Sequence, residues 1–323
     1  MNATSSMPET ARDNIASRAR RDEAEVFVAS FRSLYPFEPN FLDVGNEQFM
    51  HYVDEGSKTA APILCLHGNP TWSFYFRGLI SGLSTHYRVI APDHMGCGIS
   101  DKPQDYNYTL EQHALNIERL VLELDLKNIT LVLHDWGGAI GMGFARRHPE
   151  RIARIVVMNT AAFCSTSIPL RISACRWPIV GPLAVRGFGA FSLAALSMAT
   201  ERPENITDEV RRGYLAPYGD WHNRVATMAF VRDIPLTPSH PSYDELAATD
   251  GALREFKDTP ICVIWGERDW CFTPEFREEW ERRFEGARVH KAPDAGHWVL
   301  EDEGPQVLRW ISRFLQDTSG SRD

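Results

Sequence analysis

Residues 132–141 read VLHDWGGAIG. An apolar run closes on His134, Asp135 and Trp136 follow, and Gly137-Gly138 opens a helical pattern. A strand that turns sharply into a helix fits this order, and it leaves a carboxylate at the turn. Working outward, the same kind of run recurs: PILCLHG (62–68), YRVIAPD (87–93), ITLVLHD (129–135), RIVVMNT (154–160) and PICVIWGERD (260–269), with ARVHKAPDAGH (287–297) as a weaker sixth case. Short uninterrupted apolar runs suit strands covered on both faces. Helical patterns lie between them. Thr109 and Gln112 spell a T-x-x-Q capping box before LEQHALNIERLVLEL, where Leu115, Ile117, Leu120, Val121 and Leu124 define an apolar face. In GGAIGMGFARRHPERI, Gly138, Gly141 and Gly143 are poor helix formers, which predicts close packing against the sheet. VLRWISRFL reads as a last amphipathic helix, and FLDVG and EQFMHYVDEG as a β-hairpin around Gly45-Asn46. Alternating strands and helices predict an α/β fold, with a mostly parallel sheet flanked by helices.

The alternation breaks once. Residues 163–255 are helical or irregular and rich in Pro, Arg and aromatics, so they read as a helical cap inserted between two strands. That divides the chain into a core of residues 31–162 and 256–318, the cap, and an N-terminal tail of residues 1–30 expected to be disordered. The tail has no apolar stretch of the secretory kind. Cys65, Cys97, Cys164, Cys175, Cys262 and Cys271 form no C-x-x-C pair; they read as filler in a reducing, cytoplasmic setting. Net charge is −9 and no Lys/Arg block occurs, which argues against a nucleic-acid partner. The longest uncharged apolar stretch, GFGAFSLAALSMAT (187–200), is shorter than the roughly 20 residues a transmembrane span needs. It reads as a buried or partner-facing helix, raising self-association or docking to partner enzymes.

Ligands of open α/β sheets bind at the carboxyl ends of the strands. The residues there are His67-Gly68-Asn69-Pro70, Asp93-His94, Asp135-Trp136, Asn159-Thr160, Asp269 and His297. Nucleophile, then acid, then histidine is the chain order of the α/β-hydrolase triad, with Asp135 where Ser is usual and Leu133 where the elbow motif has a small residue. The aspartate has a chemical logic. A serine attacking a saturated carbon would be trapped as an ether. A carboxylate forms an ester, which water activated by a histidine can cleave at the enzyme's own carbonyl. His297 would be that histidine and Asp269 its orienting acid, with Asp294 and Asp302 as other candidates for the acid. The Trp136 indole N–H and the Asn69 amide are donors suited to a leaving anion, and their backbone N–H groups fit an oxyanion hole. His67 and His134 flank the site as strand-end residues, without a metal-binding motif.

LHGNPTWSFYFR, PDHMGCGISDKP, HDWGGAIG and PDAGHWVLED resemble the haloalkane dehalogenases of the α/β-hydrolase superfamily, from about Leu34 to Leu315. The resemblance implies Asp135 as nucleophile, Asn69 and Trp136 as halide binders, a small apolar haloalkane as substrate, and no cofactor or metal. Some members place the triad acid as a Glu after strand six. Here Asn159 stands there, so Asp269 takes the role, as in the branch called subfamily III. LYPFEPNFLDVG, MHYVDEG, NTAAF, the DIPL segment and RDWCF are equally similar to bacterial β-lactone decarboxylases of long-chain olefin biosynthesis. Those share the Asp, His and Asp, and their substrate is a cis-disubstituted alkyl β-lactone. Two further readings stand beside these. An epoxide hydrolase would use lid tyrosines, here Tyr214 and Tyr218. A catalytically silent binding protein of the same fold would be expected to lack part of the triad. Phe188, Phe191 and Phe230 are candidates for the pocket wall.

Overall fold

The computed structural model describes residues 9–319. Eight strands form one sheet: β1 (Asn40–Gly45), β2 (Gln48–Glu55), β3 (Pro62–Leu66), β4 (Arg88–Pro92), β5 (Ile129–Asp135), β6 (Ile152–Thr160), β7 (Ile261–Gly266) and β8 (Arg288–Ala292). Their order across the sheet is β1-β2-β4-β3-β5-β6-β7-β8. Strand β2 runs antiparallel to β1 and β4, and every later pairing is parallel. This is the α/β-hydrolase fold. The hairpin turn falls on Asn46-Glu47, both at positive φ, one residue beyond the Gly45-Asn46 expected. Two left-handed residues match the twist of the strands they join.

Alternation along each strand builds two cores. Leu64, Leu66, Leu131, Leu133, Ile155, Val157, Val263 and Trp265 face one side. Ile63, Cys65, Val132, Val156, Met158, Cys262 and Ile264 face the other. A strand buried on both faces has no polar position to show, hence the continuous apolar runs. Helices α1 (Glu9–Val28), α2 (Arg77–Leu83), α3 (Leu110–Glu123), α4 (Trp136–Ala145), α11 (Pro274–Arg283) and α12 (Val299–Asp317) accompany the sheet. Between β6 and β7 come α5 (Leu170–Cys175), α6 (Val180–Gly187), α7 (Ala190–Met198), α8 (Asp208–Leu215), α9 (Val225–Arg232) and α10 (Tyr243–Ala252). No single helix among the described residues is long and apolar enough to cross a membrane.

Some expectations need correction. Residues 9–28, read as part of a disordered tail, form α1; residues 1–8 lie outside the described residues. Ala24 and Val28 of α1 are buried, the Phe27 ring meets those of Phe31 and Trp72, and Arg20 stacks on Phe49 and pairs with Asp101. The buried face of α3 carries Leu110, Ala114, Ile117, Leu120 and Val121, and Leu115 is exposed. The capping box is half formed. Thr109 accepts from the Gln112 N–H, but the Gln112 side chain donates to Asn116. Gly143 packs beside Ala114 and Glu245 rather than the sheet.

Candidate active site

Strand β5 delivers Asp135 to the carboxyl edge of the sheet, and α4 starts at the next residue. Asp135 sits at φ +51°, ψ −124°, a conformation a non-glycine residue adopts only under constraint. The constraint is visible. The Thr160 hydroxyl of β6 donates to the Asp135 carbonyl. On the far side, a Cβ at Gly137 would lie 2.0 Å from the Leu66 carbonyl oxygen, so only glycine lets the helix start this close to β3. Leu133, the departure from the usual elbow, is accommodated one helical turn on. A Cβ at Gly141 would lie 2.4 Å from the Leu133 side chain, so the missing side chain leaves room for the extra one.

The Asp135 carboxylate accepts the Asn69 backbone N–H at 2.7 Å through Oδ1. Its Oδ2 faces His297 Nε2 at 3.7 Å. His297 Nδ1 meets Asp269 Oδ2 at 2.8 Å. A carboxylate accepts, so Nδ1 carries a hydrogen toward Asp269; Nε2 then holds the second hydrogen toward Asp135 when the ring is charged and offers a lone pair when it is neutral. Asp269 is held by two more donors, the Cys271 N–H at 2.6 Å and the Asn159 amide at 2.9 Å. Sequence reading had marked Asn159 only as a missing carboxylate; nothing in its spacing announces this bond. The His297 ring is stacked on Phe272, and its carbonyl is paired with His134 Nε2. Burial pushes the Asp135 carboxyl above its ordinary pKa, and His297 with the Asn69 and Trp136 N–H groups pulls it part of the way back. Burial also opposes charge on His297, but Asp269 and Asp135 together outweigh it and raise its pKa.

Asp302 and Asp294, the other candidate acids, lie elsewhere. Asp302 accepts from Thr200, Glu201, Arg202 and Gly296, and Asp294 pairs with Arg268 at the surface. His67 pairs with Gly68 and His94.

Asp135 and His297 border a cavity of about 590 Å³ together with Asn69 and Trp136. The Asn69 amide donates to the Thr227 carbonyl of α9 at 3.1 Å, which uses one of its two hydrogens. Helices α5 to α7 supply much of the remaining wall, through residues such as Ile172, Val185, Phe191 and Met198. Of the three phenylalanines expected to form the wall, only Phe191 does. Phe188 is exposed, and Phe230 is buried against Trp136 and His113. Cys175 and Cys271 border the cavity rather than fill the core. The Tyr214 hydroxyl donates to Glu301 and that of Tyr218 to the Thr71 carbonyl, and neither ring borders the cavity.

Residues 61–188 match the family described as alpha/beta hydrolase fold. The chain is 41% identical to a cis-3-alkyl-4-alkyloxetan-2-one decarboxylase of Shewanella oneidensis, over 88% of this chain and 91% of that one. It is 34% identical to a haloalkane dehalogenase of Mycobacterium marinum, over 88% and 96% of the two chains. The crystal structure of the haloalkane dehalogenase DatA from Agrobacterium tumefaciens superposes with a TM-score of 0.76 at 26% identity, covering 87% of this chain and 97% of that one.

Proposed function

Because the chain belongs to the α/β-hydrolase family that includes the cis-3-alkyl-4-alkyloxetan-2-one decarboxylases and the haloalkane dehalogenases, we propose that it decarboxylates a cis-disubstituted β-lactone with Asp135 as nucleophile. The observation that carries this is a carboxylate at the floor of a large, mainly apolar cavity, with room for more than a short haloalkane. The higher identity to the decarboxylase supports it.

Asp135 Oδ2 attacks the saturated ring carbon that bears the ring oxygen. The carbon–oxygen bond breaks, and its electron pair leaves as a carboxylate facing the Asn69 and Trp136 donors. The new ester then fragments. The bond between the carboxylate and its α-carbon breaks to release CO₂, its electron pair forms the alkene, and Asp135 departs as carboxylate. Lactone becomes alkene and CO₂ with no other reactant. His297, held by Asp269, keeps Asp135 ionised in its buried site.

Haloalkane dehalogenation is the second reading, favoured by the same two donors, which also suit a halide. There the ester has no carboxylate to lose, and His297 must activate water against it. Epoxide hydrolysis has less support, since both lid tyrosine hydroxyls are engaged outside the cavity. A silent binding protein would not need Asp269, His297 and Asp135 in line.

The test offers purified protein a synthetic cis-β-lactone and a brominated alkane separately, following alkene and bromide, with Asp135→Ala as control. Fast alkene formation with slow bromide release is expected. Fast bromide release with an inert lactone would establish the dehalogenase reading instead. Activity retained in Asp135→Ala would remove Asp135 from either.

A further inference from the structure

The outer surface of the cap is apolar where a water-facing surface should not be. Leu170 is 81% exposed, Ile179 76% and Phe188 76%, and Trp177, Val180 and Leu183 are also open to solvent. They sit on α5, α6 and the turns beside them, which pack on one another; the Gly181 N–H bonds to the Trp177 carbonyl, and Arg186 stacks on exposed Trp221. Exposed apolar side chains gathered on one face mark an interaction surface. The stretch 187–200, read from the sequence as a buried or partner-facing helix, divides between the two: Phe188 and Leu193 are exposed, while α7 turns Phe191, Ala194 and Met198 to the cavity.

Two observations say what covers this face. The first is charge. Residues 161–200 contain Arg171, Arg176 and Arg186 and no Asp, Glu or Lys, in a chain of net charge −9. A second copy docked symmetrically would set these arginines against themselves, with no acid from the segment to pair them. An anionic sheet would meet them well. The second is continuity with the site. The cavity-lining residues that are themselves exposed, Ser167, Arg171 and Ala190, all belong to this segment, so the cavity opens through it. α6 and α7 form an apolar pair bent by 72°, suited to lying in an interface rather than crossing it.

We infer that this face of the cap docks onto an anionic lipid surface, with the mouth of the cavity against the lipid. The inference stands apart from the proposed reaction, since it rests on the surface alone.

Flotation of the full chain with vesicles tests it. Vesicles of phosphatidylcholine containing phosphatidylglycerol should carry the protein up, and pure phosphatidylcholine should carry less, by about fivefold for each arginine engaged. Added salt should release it. The double variants Trp177→Glu/Ile179→Glu and Leu170→Glu/Phe188→Glu, none of them at a cavity-lining position, should each lose binding by on the order of tenfold or more. Both should keep the wild-type circular dichroism and turnover of a short, water-soluble bromoalkane or lactone. Wild-type protein that stays down with both vesicle types overturns the inference, as do variants that float like wild type. Failure to float, together with self-association in sedimentation that the variants abolish, would assign the face to a second copy and equally overturn it.

Discussion

At the scale of the residue, the site turns on two ionisations that burial disfavours. As the proposed nucleophile Asp135 must be ionised to attack, and burial raises its pKa; His297 is one of the groups that lower it again. Removing the imidazole therefore slows both proposed reactions, but in ways that tell them apart. With a lactone, His297→Ala should lose most of its rate at neutral pH, because Asp135 takes up a proton more readily. The rate should return as pH rises and Asp135 ionises. With a bromoalkane, the slow attack that remains should end in an ester that nothing hydrolyses, at any pH, and intact-protein mass should show the alkyl adduct. Recovery of bromoalkane turnover in the variant at high pH would contradict this division of labour. In the dehalogenase reading, water activation in the wild type needs neutral His297. Its pKa is raised, so bromoalkane turnover should begin to fall at a pH above the ordinary histidine value as the solution is acidified. Asp135, Trp136, Asn69, Asp269 and His297 were legible because their types and chain order have a chemical meaning. Asn159 and the Cys271 N–H were not, since any amide or N–H could hold a carboxylate and only the fold says which ones do.

At the scale of the element, the turn from β5 to α4 carries the strain. Gly137→Ala would drive a methyl into the Leu66 carbonyl, a backbone atom that cannot swing aside. The expected cost is at the upper end of about 1–3 kcal/mol, with the start of α4 pushed away from β3 next to the proposed nucleophile. Thermal melts should show the loss, and activity should fall further than stability because Asp135 shifts with the turn. Gly143→Ala is the control. Its Cβ would approach no closer than 3.3 Å to Glu245 and 3.4 Å to Ala114, so it should cost little. The apolar runs also marked the positions of the central strands along the chain, since β3, β4, β5 and β7 are buried on both faces, while the half-exposed edge strand β8 gave the weaker signal. Periodicity did less well on helices. Leu115 was counted into the buried face of α3, whose true stripe of Leu110, Ala114, Ile117 and Val121 includes a small residue that hydrophobicity alone underweights. Helix α1 was missed because its sequence is dominated by charged and small residues, with Ile15 the only large aliphatic residue before Val26, so its apolar stripe is too thin to stand out.

At the scale of the whole molecule, two neighbouring acids at the start of α12 tie the cap to the core in different ways. Glu301 holds Arg77 through paired bonds of 2.6 and 2.7 Å and accepts the Tyr214 hydroxyl from α8. Asp302 reaches both ways. It accepts from Thr200, Glu201 and Arg202 at the end of the cap's apolar segment, and from the Gly296 N–H at 2.7 Å, one residue before His297. The cap and the histidine loop therefore share one buried carboxylate. Asp302→Ala leaves the Thr200, Glu201 and Gly296 donors without their acceptor, while the Arg202 N–H keeps the Thr200 hydroxyl, and although water can return to some of them, a loss of about 3 kcal/mol is expected. In a chain of this length that lowers Tm by about 5 °C. The kinetic signature separates the two acids. Glu301→Gln loosens the cap without touching the histidine loop, so KM should rise while kcat stays near wild type. Asp302→Ala frees both, so KM should rise and kcat should fall with it, because the His297 backbone loses its fixed approach to Asp135. Equal kinetic behaviour in the two variants would mean that the histidine loop is held by its Asp269 and His134 bonds alone, and that the coupling between cap and catalysis runs through some other contact.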